Sequence, residues 1–171
     1  MFFGSLEGVA FRLLKDELSS WLDGLSNDLQ EWAPELPPAE IARQLASSLV
    51  ERELLCRLLA LLTFMADRHS LELGLLRELE VWRLRRLEEA GALLESRCKE
   101  LAEGGGLAIL RRALLLAGAL EPRMNPPSGL LLVMSEEKFA ALYPDAGEEL
   151  RDLLEVILLS MCGGGEAEAP A

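Results

Sequence analysis

Asp145-Ala-Gly-Glu-Glu-Leu-Arg-Asp-Leu-Leu-Glu-Val-Ile-Leu-Leu-Ser-Met161 decides the fold class. Leu150, Leu154, Ile157, Leu158 and Met161 recur at steps of three and four, which puts them on one face of a helix. Leu153, Val156 and Leu159 widen that face. Asp145 followed by Glu148 resembles a capping box, so the helix has a marked start. Gly163-Gly164-Gly165 marks its end, and 166–171 reads as a disordered tail.

The same signature recurs upstream. Ser5 is a candidate cap for a first helix running to about Trp32, with Leu14, Leu18, Trp21, Leu22, Leu25 and Leu29 on its inner stripe. Pro34, Pro37 and Pro38 stop it, and Pro38 opens a second helix with Ile41, Leu45 and Leu49 inward. Leu54–Ala66 is apolar on nearly every side and reads as a helix buried all round. Ser70 is placed to cap a long fourth helix reaching about Ala102. Gly104-Gly105-Gly106 ends that segment, and a fifth helix spans about Leu107 to Leu120. Glu121 to Val133 reads as an irregular connection, followed by a short helix capped by Ser135 and ending near Tyr143. No window alternates with period two, so the expected fold is all-α, a bundle of six to seven helices.

Composition bounds the function. The chain has 171 residues, long enough for one well-buried domain, assigned here to 1–162 with 163–171 as tail. A net charge of −12 repels phosphate backbones and opposes direct DNA binding. Three separated cysteines and one histidine offer neither a disulfide framework nor a metal site, and a reducing cytoplasm is the expected compartment. No secretion signal or membrane-length apolar run is present. No nucleophile elbow, zinc-protease motif or phosphate loop occurs, so neither an enzyme nor a cofactor is expected.

The fifth and last helices are apolar over more than the roughly 100° stripe that a monomer's surface helix needs. The surplus must meet something. One solution is a twofold homodimer in which both helices pair with their copies as a four-helix bundle. Leu110, Leu114 and Ala117 would then lie at the seam, with Leu150, Leu154, Ile157, Leu158 and Met161. The alternative is that the long connection folds over them.

The order of elements resembles the C-terminal ligand-binding and dimerisation domain of the tetracycline-repressor (TetR) family of transcription regulators. Phe2-Phe3-Gly4-Ser5-Leu6-Glu7-Gly8-Val9-Ala10-Phe11 is similar to the family's boundary between reading head and connecting helix, with Leu6 where Lys is usual. Leu54–Met65 is similar to a pocket helix, and Asp145–Met161 to the terminal dimerisation helix. The family's helix-turn-helix unit is absent, so the expectation is a regulatory domain without its own DNA-reading head. The resemblance implies a small apolar or amphiphilic effector inside the bundle. Mapped by element, Leu18, Trp21, Leu25, Leu62, Phe64, Met65, Trp82 and Leu115 are candidates to line its site, and Arg86 to anchor an anionic group. Each has a plain structural alternative in core packing or, for Arg86, in pairing with Glu89. A turn position is expected for His69, a structural ion pair for Arg57, and a buried apolar role for Cys56. Two rival roles stand beside it: an interaction bundle with a filled core that pairs with a full-length relative, and a peripheral membrane protein. The acidic start of the last helix opposes the second.

Overall fold

A computed structural model describes residues 6–33, 35–68 and 73–163. Among them run α1 (Leu6–Glu31), α2 (Pro38–Val50), α3 (Glu53–Arg68), α4 (Leu73–Arg97), α5 (Gly105–Met124), α6 (Ser128–Met134), a 3₁₀ segment (Glu137–Leu142) and α7 (Ala146–Cys162), with no strand. The fold is all-α, as the periodicity requires. Ser5, His69 and Ser70 lie outside the described residues, as do 164–171.

Two caps behave as the sequence dictates. Pro38 opens α2 at a position where a missing N–H costs nothing. The Asp145 carboxylate accepts from the backbone N–H of Glu148 at 2.9 Å and starts α7.

Three expectations need correction. First, α3 is not buried all round. Leu55, Cys56 and Leu58 are in the core, whereas Leu54, Arg57 and Leu61 share an open face. Second, α4 stops at Arg97, and 98–104 form a tight turn instead of a last helical turn. The buried stripe of α4 is Leu79, Leu87, Ala90, Gly91 and Leu94, while Leu73 and Leu84 face outward. Third, α5 starts at Gly105 and continues through Pro122 to Met124, and α6 occupies part of the stretch expected to be irregular.

The glycine triplet is structural. Gly104 takes a left-handed backbone (φ 80°) before α5 begins. Gly106 packs backbone to backbone on Gly91 of α4: a Cβ on Gly106 would stand 2.1 Å from the Gly91 carbonyl oxygen. Only glycine permits that approach. The Gly106 N–H is held as well, donating to Glu95 Oε1 at 2.8 Å.

The helices form two layers that share α5. In the first, α1 touches α3 and α4, and α5 touches both of those in turn, closing a ring. Helices across the ring, α1 from α5 and α3 from α4, do not bring their backbones into close approach among the described residues. In the second, α2 and α7 pack on each other and on α5. The core runs through both layers, from Leu14 and Leu18 to Leu110, Leu150 and Leu154.

Candidate functional site

The ring of α1, α3, α5 and α4 is the natural place for a small ligand, because four helices packed edge to edge leave a central axis. Leu14 and Leu18 of α1 and Leu58 of α3 are buried within this layer. Leu59, Leu62, Leu76, Trp82 and Leu116 are half-buried against the same core.

The α1–α4 side is zipped by charge. These two helices run parallel: Lys15 stands over the Trp82 ring, 5.2 Å from its centroid, Asp23 pairs with Arg86, and the Gln30 carbonyl accepts from Arg97 at 3.3 Å. Arg86 also approaches Glu89 at 3.7 Å, the pairing that helical spacing anticipates. Its Nε is buried and has no acceptor among the described residues, so one donor of the guanidinium is unmatched there.

The candidate ligand residues divide by position. Leu62, Trp82 and Arg86 sit on ring helices at half-buried positions. Leu18 and Leu25 are buried in the core of α1. Trp21 is fully buried and turned to the second layer, its indole N–H donating to Ser48 Oγ of α2 at 3.0 Å. Leu115 is 71% exposed on the outer side of α5, not between helices. The register explains this. Leu110, Leu114 and Ala117 turn inward, and Leu115 lies about 100° from Leu114. Phe64 and Met65 belong to the last turns of α3, and their side chains lie outside the described residues.

The seam residues expected between protomers are mostly spent inside one. Leu110, Leu114, Ala117, Leu150, Leu154 and Leu158 are buried within the chain, with Ile157 and Met161 packed against that core. Gly118, beside Ala117, seats α5 against Leu59 of α3. What remains outward is the widened part of the stripes: Leu115 and Ala119 on α5, and Leu153, Val156 and Leu159 on α7. The connection does not cover them, since α6 and the 3₁₀ segment touch neither helix among the described residues.

One charged group was not singled out from sequence. Glu121 is only 8% exposed, and Arg57 Nε donates to it at 3.3 Å. Arg57 therefore has the expected ion pair, shared with Glu53 at 2.8 Å. The available signal was a carboxylate directly after the apolar run 113–120. Burial, reinforced by the Glu121 charge, pushes the nearby Cys56 thiol up to about 11 despite a backbone hydrogen bond. That is the thiol of a buried structural residue, not of a redox nucleophile.

A surface groove of about 410 Å³ runs along the junction of α2 and α7, lined in part by Arg43, Glu51, Asp145, Glu148 and Arg151. Its arginines are matched within the chain, Arg43 by Glu40 and Arg151 by Glu148 and Asp152. Among the described residues no cluster of His, Cys, Asp or Glu could hold a metal, and no helix is long and apolar enough to cross a membrane.

Comparison with known proteins gives one family. The model for the tetracyclin repressor-like C-terminal domain matches residues 15–161. No curated protein matches the chain.

Proposed function

Because the chain belongs to the tetracyclin repressor-like C-terminal domain family, we propose that it binds a small apolar or amphiphilic effector within the ring of α1, α3, α4 and α5. Domains of this family belong to transcriptional regulators, which are not enzymes, and they typically act as dimers. Pairing here is assigned to the outer faces of α5 and α7, through Leu115, Ala119, Leu153, Val156 and Leu159. No DNA contact is assigned to these residues, given the charge of −12.

The observation that carries the effector reading is that α3 and α4 pack their backbones on α1 and α5 and not on each other among the described residues. Half-buried Leu62, Leu76 and Trp82 stand on those two helices, and Arg86 adds one buried, unmatched donor. Such a lining suits an apolar molecule with one polar or anionic end. Entry of a ligand would bias the position of α1 on α4, along the Lys15–Trp82 and Asp23–Arg86 contacts.

The test is a thermal-shift series with hydrophobic small molecules of graded length, with and without a carboxylate. A true effector raises the melting temperature saturably, by RT ln(1 + [L]/Kd) in stability. Trp82→Ala should abolish the shift, and Arg86→Met should remove the preference for the anionic member. Leu115→Ala, on the outer surface, should leave it intact. A fully packed core is the competing reading, supported by the near-complete burial of Leu14, Leu18 and Leu58. It predicts no saturable shift with any member of the series.

A further inference from the structure

The sequence separates its three cysteines, and the fold brings two of them together. Cys98 is the first residue beyond α4, and Cys162 is the last of α7. Both thiols are free, and they lie within hydrogen-bonding reach of each other. Cys98 is 2% exposed, inside the core, and Cys162 is half-buried against that same core. Cys56 stands apart, its thiol donating to the Leu49 carbonyl at 3.3 Å.

The surroundings hold the pair in place. The Cys98 N–H donates to the Leu94 carbonyl at 3.1 Å, and the Cys98 carbonyl accepts from the Leu101 N–H at 3.0 Å. Leu101 and the Met161 methyl lie 3.2 and 3.5 Å from the place a Cβ on Gly105 would take. Arg112 of α5 donates to Met161 Sδ at 3.0 Å. The last turn of α7 is thereby seated on the turn that carries Cys98. Both cysteines stand at helix ends, where a small backbone shift brings two sulfurs to bonding distance. Burial, then the neighbouring Cys98 thiol and the Glu100 carboxylate, push the Cys162 thiol up to about 11. At neutral pH Cys162 therefore rests as a protonated thiol, with a second sulfur beside it to capture any mixed disulfide it forms.

We propose that Cys98 and Cys162 are a thiol–disulfide pair, closed by exchange with a low-molecular-weight disulfide, that locks the last helix to the end of α4. In the first step the more accessible Cys162 sulfur attacks one sulfur of the small disulfide. The small S–S bond breaks, a new one forms to Cys162, and one small thiol leaves with the proton that Cys162 gave up. The Cys98 sulfur then attacks Cys162 Sγ and displaces the second small thiol, which takes the Cys98 proton. Two protein thiols are oxidised, and one small disulfide is reduced to two thiols. The consequence is structural. Helices α4 and α7 do not bring their backbones into close approach among the described residues, and each packs on α5. The Cys98–Cys162 bond ties α7 directly to the turn at the end of α4. It also closes a long loop, which removes freedom from the unfolded chain. The lock is independent of the effector reading.

The test incubates the full folded chain with glutathione disulfide, removes the reagent, alkylates the remaining thiols and reads intact mass and a peptide map. We expect the wild type to lose two of its three free thiols, with Cys98 joined to Cys162 and Cys56 still free. The melting temperature should rise by roughly 5–15 °C, and dithiothreitol should reverse the rise. Cys98→Ala should stop at one glutathione on Cys162, and Cys162→Ser should take up none at Cys98. The wild-type map decides the pairing by itself, whatever the stability of the variants. Three thiols still free in the wild type would overturn the pair, as would a glutathione that stays on Cys162 with Cys98 intact. A cross-link through Cys56, or one that forms only in urea, would show that the fold does not select these two sulfurs. A Cys98–Cys162 bond that lowers the melting temperature would overturn the lock, because the native packing would have to break to make it.

Discussion

The two ends of α4 are built on opposite principles. At its C-terminal end, Gly91 and Gly106 bring the backbones of α4 and α5 into direct contact, and the Glu95 carboxylate closes on the Gly106 N–H. Leu36 N–H donates to the Arg97 carbonyl at 3.2 Å, and Lys99 pairs with Glu35. At its N-terminal end, α4 makes no backbone approach to α3 among the described residues, Leu73 and Val81 are exposed, and Lys15 stands over the Trp82 ring. Among the described residues, Gly74 has nothing within 4 Å of where a Cβ would sit. Among the described residues, one helix is thus clamped at one end and more sparsely held at the other. On the proposed effector reading, that asymmetry lets a rigid end transmit what a movable end senses.

Gly106→Ala is the most severe way to break this comparison. Its Cβ would meet the Gly91 carbonyl oxygen at 2.1 Å, and the obstacle is backbone, which cannot rotate away. Gly91→Ala is comparable, with its Cβ 2.5 Å from the Leu107 nitrogen. Either change should cost roughly 3 kcal/mol or more, a large share of a domain's total stability. Urea denaturation checks this. A loss under about 1 kcal/mol would show that α4 and α5 can part without penalty, and the clamp would not be a clamp.

The seam between α3 and α5 asks which of the two ends it resembles. Gly118 seats α5 on Leu59, with a Cβ position 3.1 Å from Leu59 Cβ, and Arg57 reaches across to the buried Glu121. Glu121→Ala should cost roughly 1–3 kcal/mol, less than the clamp, because Arg57 is half-exposed and can turn to Glu53 and water. Glu121→Gln keeps the shape and removes the charge, which also lowers the Cys56 thiol from its value of about 11. The sign of the pH effect follows. An unfolded chain ionises this thiol near 9 and the folded one near 11, so its contribution is complete below about pH 9 and is lost as pH rises through 11. Stability measured from pH 8 to 11 should fall for the wild type, and fall less for Glu121→Gln. Equal slopes would mean that Glu121 does not act on Cys56.

Legibility followed the same division. The inner stripes of α1, α2 and α7 were plain in the sequence because each buries one clean face: Leu14, Leu18, Leu22; Ile41, Leu45, Leu49; Leu150, Leu154, Leu158. The Asp145 cap was plain because a carboxylate three residues before a Glu has one strong local use. The glycine triplet was read only as a stop, since a close approach to Gly91 depends on a helix 13 or more residues away. Leu110 and Leu150 were expected between protomers, yet they fill the core of one. An apolar residue does not declare which neighbour it buries against. Burial within the chain had to be known before Leu153, Val156 and Leu159 could stand out as the surface left over. Of the candidate site, the helices were legible and the facing was not: Trp82 and Arg86 lie in the ring seam, whereas Leu115 lies one residue out of register with it.

Gly74→Ala is the gentlest change and sharpens the comparison from its other side. A glycine inside a helix weakens it by about 1 kcal/mol relative to alanine, through backbone freedom lost on folding. At Gly74, the second residue of α4, no described neighbour meets the added Cβ, so alanine should stabilise the N-terminal end of α4 by a fraction of ~1 kcal/mol. The same exchange, glycine to alanine in one helix, would then have opposite signs at positions 74 and 91. If the open end must flex to admit a ligand, stiffening it should slow ligand entry while raising the melting temperature slightly. Stopped-flow quenching of the tryptophan fluorescence by apolar ligand, compared with the Trp82→Phe variant to isolate the Trp82 signal and set beside the melting curve, reads both. A loss of stability at Gly74 instead would mean that the end of α4 is held by contacts as close as those at Gly91, and the asymmetry would collapse.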